Sequence, residues 1–274
     1  MDNAAVGSWS RPDVHLGSGV GVYLPANQAS YSELCRVWDW LEALSVDYLA
    51  VEDHLLSASS DPNAAQLECW ALLAAMAERT SKPIVSALVS PAAFRNAAVM
   101  AKAAVTIDHI SGGRFMLGLG AGWFAEEYLF AGLDCQPISD RLNDLEAVIA
   151  RCREIWADAR YRPSPVNGTI PVLVGGAGIT TTIPLVARVA DAWNAAGPLT
   201  DWTSRNEALS AACDAIGRDP SSIVRTAAIW PDELENVSSY RKAGADLIII
   251  CITPDIPRPE LERLLKQAVT QFMP

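Results

Sequence analysis

The chain has 274 residues, half of them hydrophobic, and carries 32 acidic against 21 basic residues, a formal net charge of −11. A chain of this size can bury a large core, and its acidic balance disfavours nucleic-acid phosphates and anionic membrane surfaces as partners. We therefore expect a small-molecule substrate as the partner, and neither nucleic acid nor a membrane.

The amino-terminal segment and the cysteines indicate the compartment. Residues 1–15 lack the basic start and apolar centre of a signal peptide, and no apolar run approaches the roughly 20 residues of a membrane span. The six cysteines are widely spaced, without a C-x-x-C pair, and no histidine stands at metal-ligand spacing. This pattern predicts a cytoplasmic protein with buried, reduced thiols and no metal site.

Strand-like runs recur eight times along the chain. Most are continuously apolar, as expected for parallel strands that are covered on both faces. They occupy residues 19–24, 47–52, 83–89, 114–120, 171–175, 191–196, 224–230 and 246–251.

The segments between these runs carry helical periodicity and helix-end signals. Ser30 and Glu33 have the spacing of a capping box, and Asp61-Pro62 predicts the start of the second helix. Residues 141–156 place their apolar side chains on one stripe, and residues 232–235 predict another helix start.

Strand and helix thus alternate without a linker rich in proline or serine. Eight such units favour a closed α/β fold, the (β/α)₈ TIM barrel, of about the usual size. We expect a single domain over residues 1–274, with residues 1–17 as an N-terminal extension.

Two junctions between a strand and a helix are rich in glycine, GLGAGW (118–123) and GGAG (175–178). The first has G-x-G-x-G spacing after the fourth strand, whereas a dinucleotide loop needs G-x-G-x-x-G, normally in the first βαβ unit. Two interpretations of the first junction stay open. Its glycines either let a flat ligand approach the backbone at the barrel mouth or relieve crowding inside the barrel.

Several segments, taken in order, resemble the luciferase-like monooxygenase family: VEDHL (51–55), IDHISGGRFMLGLGAGWFAEEY (107–128), RLNDLEAVIARCREIW (141–156) and VGGAGITTTIPLVARVADAWN (174–194). The resemblance implies a barrel that binds coenzyme F420 or FMN in its C-terminal mouth. The glycine-rich turns, the DAWN segment and the lack of an added domain look more like the F420-dependent branch.

The resemblance also assigns roles to residues at strand ends. His54 would contact the cofactor and move a proton as hydride reaches or leaves its ring, and Asp53 would orient His54 or bind the ring edge. Leu88, Val89 and Ser90 would support the ring through a backbone bulge that often contains a non-proline cis peptide in this family.

Further cofactor-binding positions lie after the fourth strand and around the fifth and sixth. They are Gly120, Trp123, Gly175, Gly176, Ala177, Gly178, Ile179, Thr180 and Asn194. Residues 175–178 precede a helix whose first turn is expected to carry threonines 180–182, so unpaired N–H groups, the helix dipole and hydroxyls could hold the cofactor phosphate. The alternative is a tight turn in which the glycines serve geometry alone.

Some positions depart from the family pattern or receive a structural role. Trp123 stands where sugar-phosphate dehydrogenases of the family carry a carboxylate that acts on the substrate, which argues against glucose-6-phosphate chemistry. Its indole suits either a wall of the mouth or the core. Glu127 and Arg141 are expected to brace the fourth βα unit outside the active site, and His15 and His109 are expected to be structural.

The leading hypothesis is an F420-dependent oxidoreductase that transfers a hydride between the deazaflavin and an unidentified small organic substrate. Its alternatives are an FMN-dependent two-component monooxygenase served by a separate reductase, and a catalytically inactive cofactor-binding protein. A metal-dependent barrel hydrolase is disfavoured, because three histidines are too few for its usual ligand sets. The sequence is compatible with either a monomer or a homodimer.

Overall fold

The computed structural model describes residues 19–27, 29–58, 64–252 and 258–272. Their strands are all parallel and form a closed barrel in which β1 pairs with both β2 and β9, and β3 pairs with β5. The strands are β1 Val20–Leu24, β2 Tyr48–Val51, β3 Ile84–Ala87, β4 Ser90–Pro91, β5 Phe115–Gly120, β6 Val172–Gly175, β7 Ala192–Ala196, β8 Val224–Ile229 and β9 Leu247–Cys251.

Helices follow the strands and surround the barrel. They are α1 Tyr31–Ala43, α2 Cys69–Arg79, α3 Ala97–Ser111, α4 Ala125–Phe130, α5 Ile138–Ala157, α6 Thr182–Val189, α7 Leu199–Ala215, α8 Val237–Lys242 and α9 Arg258–Phe272. All eight predicted strands are present, and the predicted (β/α)₈ TIM barrel is confirmed. The short β4 is a continuation of the third unit and pairs only with β5.

Helix starts were predicted with mixed success. The capping box of α1 is confirmed, with the Ser30 side chain accepting from the Glu33 N–H. The predicted start of α2 was wrong, because α2 begins at Cys69, where the Glu68 carboxylate accepts the Ala71 N–H at 2.7 Å. Asp61-Pro62 itself and the predicted extension 1–17 lie outside the described residues.

Two other helix starts differ from expectation. The segment near Asp232 is a 3₁₀ helix, Pro231–Asn236, that leads into α8. Helix α6 begins at Thr182, so Thr180 and Thr181 belong to the preceding turn rather than to the first helical turn.

The barrel interior is filled by alternate residues of each strand. The buried members of this interior cluster are Tyr48, Ala50, Met116, Leu173, Ala192, Val224, Leu247 and Ile249, and Tyr23, Leu88 and Val89 pack against it. A larger apolar cluster lies between the strands and the helices and includes all five residues of the predicted stripe on α5, Leu142, Leu145, Ile149, Cys152 and Trp156. The interior is therefore a packed core rather than an open channel.

Three arginines tie the helix ends to the strands at the amino end of the barrel. Their guanidinium groups donate to backbone carbonyls of neighbouring helices and of the turns that lead into the strands. The accepting carbonyls belong to Ala77, Thr80, Pro83 and Ser111 for Arg114, to Ala187 and Ala190 for Arg218, and to Asn206, Pro220 and Ile223 for Arg225.

Two further predictions concern the cysteines and membrane-spanning segments. Five of the six cysteines are buried, as predicted, and Cys135 is exposed. Among the described residues, none of the helices combines the length and the hydropathy needed to cross a bilayer.

Candidate active site

A cavity of about 310 Å³ lies at the carboxyl ends of β2, β3, β5 and β6. Barrel enzymes place their chemistry at this end of the strands. Eight of the predicted site residues line the cavity: Asp53, His54, Leu88, Val89, Gly120, Trp123, Gly175 and Gly176. The cavity lining does not include the other six, which are Ser90, Ala177, Gly178, Ile179, Thr180 and Asn194.

His54 is held at the cavity by a carboxylate that the sequence analysis left outside the site. Glu127 on α4 is 1% exposed, and its Oε1 accepts the N–H groups of Leu55 and Leu56 at 2.6 and 3.1 Å. Its Oε2 lies 2.9 Å from Nδ1 of His54. A carboxylate accepts, so the Glu127 side chain pairs with a proton on Nδ1, and in the neutral imidazole Nε2 then carries the lone pair. Nε2 has no hydrogen-bond partner among the described residues.

The sequence contains a weak signal for this residue. Glu126 and Glu127 are adjacent in the first turn of α4, and only one of two consecutive helical residues can turn towards the barrel mouth. Glu127 is buried and Glu126 is exposed. The two glutamates indicate where a carboxylate could reach the barrel mouth, but which of them does so depends on how α4 packs.

Asp53 does not orient His54, contrary to one of its two predicted roles. It is 2% exposed and forms an ion pair with Arg95, and it also accepts the Trp70 Nε1–H at 3.2 Å. The same Nε1–H reaches Ser90 Oγ at 3.0 Å, so Ser90 lies behind the cavity wall. Asp53 thus forms part of the cavity wall, while Arg95 compensates its charge. Its binding to a cofactor ring edge stays a prediction.

The Val89 side chain packs against the carboxyl ends of β5 and β6. The peptide bond between Leu88 and Val89 is cis, as the resemblance implied. A Cβ atom at Gly120 would lie 2.6 Å from Cγ2 of Val89, and one at Gly175 would lie 2.9 Å from its Cγ1. Both distances are too short for real carbon atoms. Glycine is therefore required at these two positions to admit Val89, which favours the crowding interpretation for Gly120.

The rim of the cavity is aromatic. Trp123 is 71% exposed, which excludes the core alternative, and its indole lies edge-on to His54 with ring centroids 5.9 Å apart. It stacks on Phe124 at 5.3 Å. Below the rim, Arg141 donates to the carbonyl of Gly122. Arg141 therefore braces the turn after β5, as expected.

The turn between β6 and α6 is anchored on one side and open on the other. The Gly176 N–H donates to the Asn194 carbonyl at 3.0 Å, and the Trp193 Nε1–H donates to the Gly176 carbonyl at 2.8 Å. The Asn194 side chain accepts the Thr226 hydroxyl at 2.8 Å inside the barrel. The N–H groups of the next four residues, Ala177, Gly178, Ile179 and Thr180, have no acceptor among the described residues.

The remaining predicted histidines fall outside this site. His109 is exposed on α3, and its Nε2 contacts the Ser164 carbonyl at 2.8 Å, which fits a structural role. His15 lies outside the described residues.

Several known proteins resemble this chain in sequence or in fold. A family model described as luciferase-like monooxygenase matches residues 11–243. The chain belongs to this family. Two curated relatives are an F420-dependent glucose-6-phosphate dehydrogenase from Amycolatopsis mediterranei and the pyrimidine monooxygenase RutA from Agrobacterium fabrum. Each is 29% identical, over 62% and 66% of this chain respectively.

The luciferase-like chain spans about half the length of these relatives, 54% of the first and 55% of the second. Solved structures match its fold along nearly all its length. An F420-dependent secondary alcohol dehydrogenase in complex with an F420-acetone adduct gives a TM-score of 0.81, at 15% identity, covering 93% of this chain and 99% of that one. The FMN-bound oxygenating constituent of 3,6-diketocamphane monooxygenase from Pseudomonas putida gives 0.72, at 13% identity, covering 92% and 97%.

Proposed function

We propose that this chain is an F420-dependent oxidoreductase that transfers a hydride between the deazaflavin and a small organic substrate. The observation that carries the proposal is the His54–Glu127 pair at the carboxyl end of the barrel, beside a cavity that Leu88 and Val89 also line. A histidine placed to act as an acid or base suits chemistry in which a bound cofactor takes the electrons and the protein moves the proton.

The residues present fit such a cofactor in two respects. Four consecutive backbone N–H groups, at residues 177–180 before the N-terminus of α6, lack acceptors among the described residues and would hold a phosphate without a basic side chain. Leu88 and Val89 line the cavity and offer an apolar surface for one face of a ring. When bound, F420 supplies a ring carbon that accepts or releases hydride and activates oxygen poorly.

The chain itself supplies the proton transfer. When a substrate hydroxyl is oxidised to a carbonyl, Nε2 of His54 takes the hydroxyl proton. Glu127 keeps the ring in position through Nδ1–H and stabilises the imidazolium that forms. In the reverse direction Nε2 returns the proton to the carbonyl oxygen. Trp123 and Phe124 cover the outer side of His54 and limit the access of water.

A second candidate is an FMN-dependent monooxygenase that receives reduced flavin from a separate reductase. The match to RutA favours it, since it covers as much of this chain as the match to the F420-dependent relative. Titration of the purified protein with F420 and with FMN, followed by fluorescence quenching, separates the two. We expect F420 to bind more tightly. Tighter binding of FMN would assign the monooxygenase function instead.

The phosphate position gives a second prediction. Thr180→Asp should weaken cofactor binding by at least about tenfold, or 1.4 kcal/mol, because a carboxylate beside the free N–H groups repels a phosphate. Thr180 is exposed, so the substitution should leave the melting temperature of the cofactor-free protein unchanged. Gly176→Asp is a poorer test, since a Cβ there would lie 2.6 Å from Cγ2 of Thr182.

The matched control is Thr180→Asn, which has the shape of aspartate without its charge. It should bind the cofactor within about threefold of the parent, since no charge repulsion is added. Equal cofactor affinity of the parent and Thr180→Asp would show that the phosphate binds elsewhere and that the turn serves geometry alone.

A further inference from the structure

Glu52 is a buried carboxylate with a free oxygen. It follows β2 directly and, in alternation with Tyr48 and Ala50, faces the barrel interior at the carboxyl end. Glu52 is 5% exposed. Its Oε2 accepts the Tyr23 hydroxyl at 2.6 Å, whereas Oε1 has no hydrogen-bond partner among the described residues.

The groups next to this carboxylate cannot compensate its charge. Burial and the Glu52 carboxylate raise the pKa of Tyr23 well above its usual value, so this tyrosine stays a neutral donor. Cys251 pairs in register with Tyr23, and burial raises its pKa to about 12, so it is a neutral thiol. Within the described part of the chain, no lysine, arginine or histidine forms an ion pair with Glu52.

A second polar side chain without partners lies at the same end of the barrel. Gln66 forms a β-bridge with Asn27, which follows β1 by three residues. Both the oxygen and the nitrogen of the Gln66 amide are buried without a hydrogen-bond partner in the part of the chain that the structure describes. The segments that follow β1 and β2 thus each carry buried polar atoms without a partner among the described residues.

A buried carboxylate costs free energy unless it is both hydrogen-bonded and neutralised. A ligand hydroxyl would supply the missing hydrogen bond but leave the charge uncompensated, whereas a protonated amine supplies both. An anionic ligand would be repelled. We propose that Glu52 Oε1 binds a protonated amine of the substrate, so that this subsite selects small cationic amines. The assignment of this amine to the substrate rests on the proposed oxidoreductase function.

The test compares two probes of similar shape, benzylamine and benzyl alcohol, titrated into the full chain by ligand-observed NMR with and without F420. Glu52→Gln should weaken benzylamine binding by about tenfold or more, the loss expected for one hydrogen bond to a charged group. Binding of benzyl alcohol should change by less than about threefold, since its hydroxyl can donate to an amide oxygen as well.

The matched control is Glu126→Gln, which makes the same change of charge on an exposed face of α4. It should bind both probes as the parent does. The proposal is overturned if the parent binds benzylamine no more tightly than benzyl alcohol, or if Glu52→Gln and the parent bind benzylamine equally. Failure of the protein to bind F420 would instead reject the proposed function, because benzylamine binding is also measured without cofactor.

The melting temperature of Glu52→Gln distinguishes the proposed subsite from a purely structural role of Glu52. Glutamine can keep the hydrogen bond from Tyr23 and removes an unpaired buried charge, so Glu52→Gln should raise the melting temperature by about 2 °C or more. A clear fall, or a failure to fold, would mean that Glu52 supports the fold and would reject the subsite. Tyr23→Phe keeps the carboxylate and should bind benzylamine within about threefold of the parent.

Discussion

His54→Ala is expected to lower turnover by about 10² or more, the usual contribution of a positioned acid or base. Nε2 of the imidazole has no hydrogen-bond partner among the described residues, so the substitution removes the group that the proposed mechanism uses to move the proton. Cofactor affinity should change by less than about threefold, because the phosphate and the apolar ring wall are held by other residues. Steady-state rates and cofactor titrations measure the two effects separately.

His109→Ala is the matched control, since it removes the same side chain from the exposed surface of α3. It should retain the turnover of the parent. If His54→Ala were as active as His109→Ala with a true substrate, His54 would have no part in the mechanism.

Glu127→Gln should also lower turnover by about 10². The amide oxygen can still accept from Leu55 and Leu56, but its NH₂ group then faces Nδ1 of His54. The imidazole must accept at Nδ1, so its proton moves to Nε2 and the lone pair at the cavity is lost. The fold should be retained, because glutamine preserves the volume and the two backbone hydrogen bonds.

A double-mutant cycle distinguishes this tautomer effect from general damage. Because Glu127 acts through His54, the double variant His54→Ala/Glu127→Gln should be no slower than His54→Ala alone, within about threefold. Glu126→Gln should be as active as the parent. Full additivity of the two losses would show that Glu127 acts independently of His54.

The barrel was predictable from the sequence because its signals are local. Each buried parallel strand is a continuous apolar run, and the capping box of α1 lies within four residues. The start of α2 was not predictable, since Glu68 caps it although glutamate is not among the preferred capping residues, whereas Asp61-Pro62 carries the standard signal.

The candidate site was only partly predictable because its contacts are distant in sequence. His54 could be located from its place after an apolar strand, but its partner Glu127 is 73 positions away. The charge of Asp53 is compensated by Arg95, 42 positions away. Gly120 and Gly175 stood out as glycines, yet their common neighbour Val89 becomes visible only in the folded barrel.

The arginines at the amino end of the barrel have a consequence for how this protein can be altered. Arg114, Arg218 and Arg225 fasten the turns that lead into the strands, while the proposed chemistry occupies the opposite end. Different residues therefore stabilise the amino end of the barrel and form the proposed active site. Loop exchange or randomisation at the mouth should therefore yield many folded variants with new substrate preferences, whereas the same changes at the fastened end should mostly yield insoluble chains.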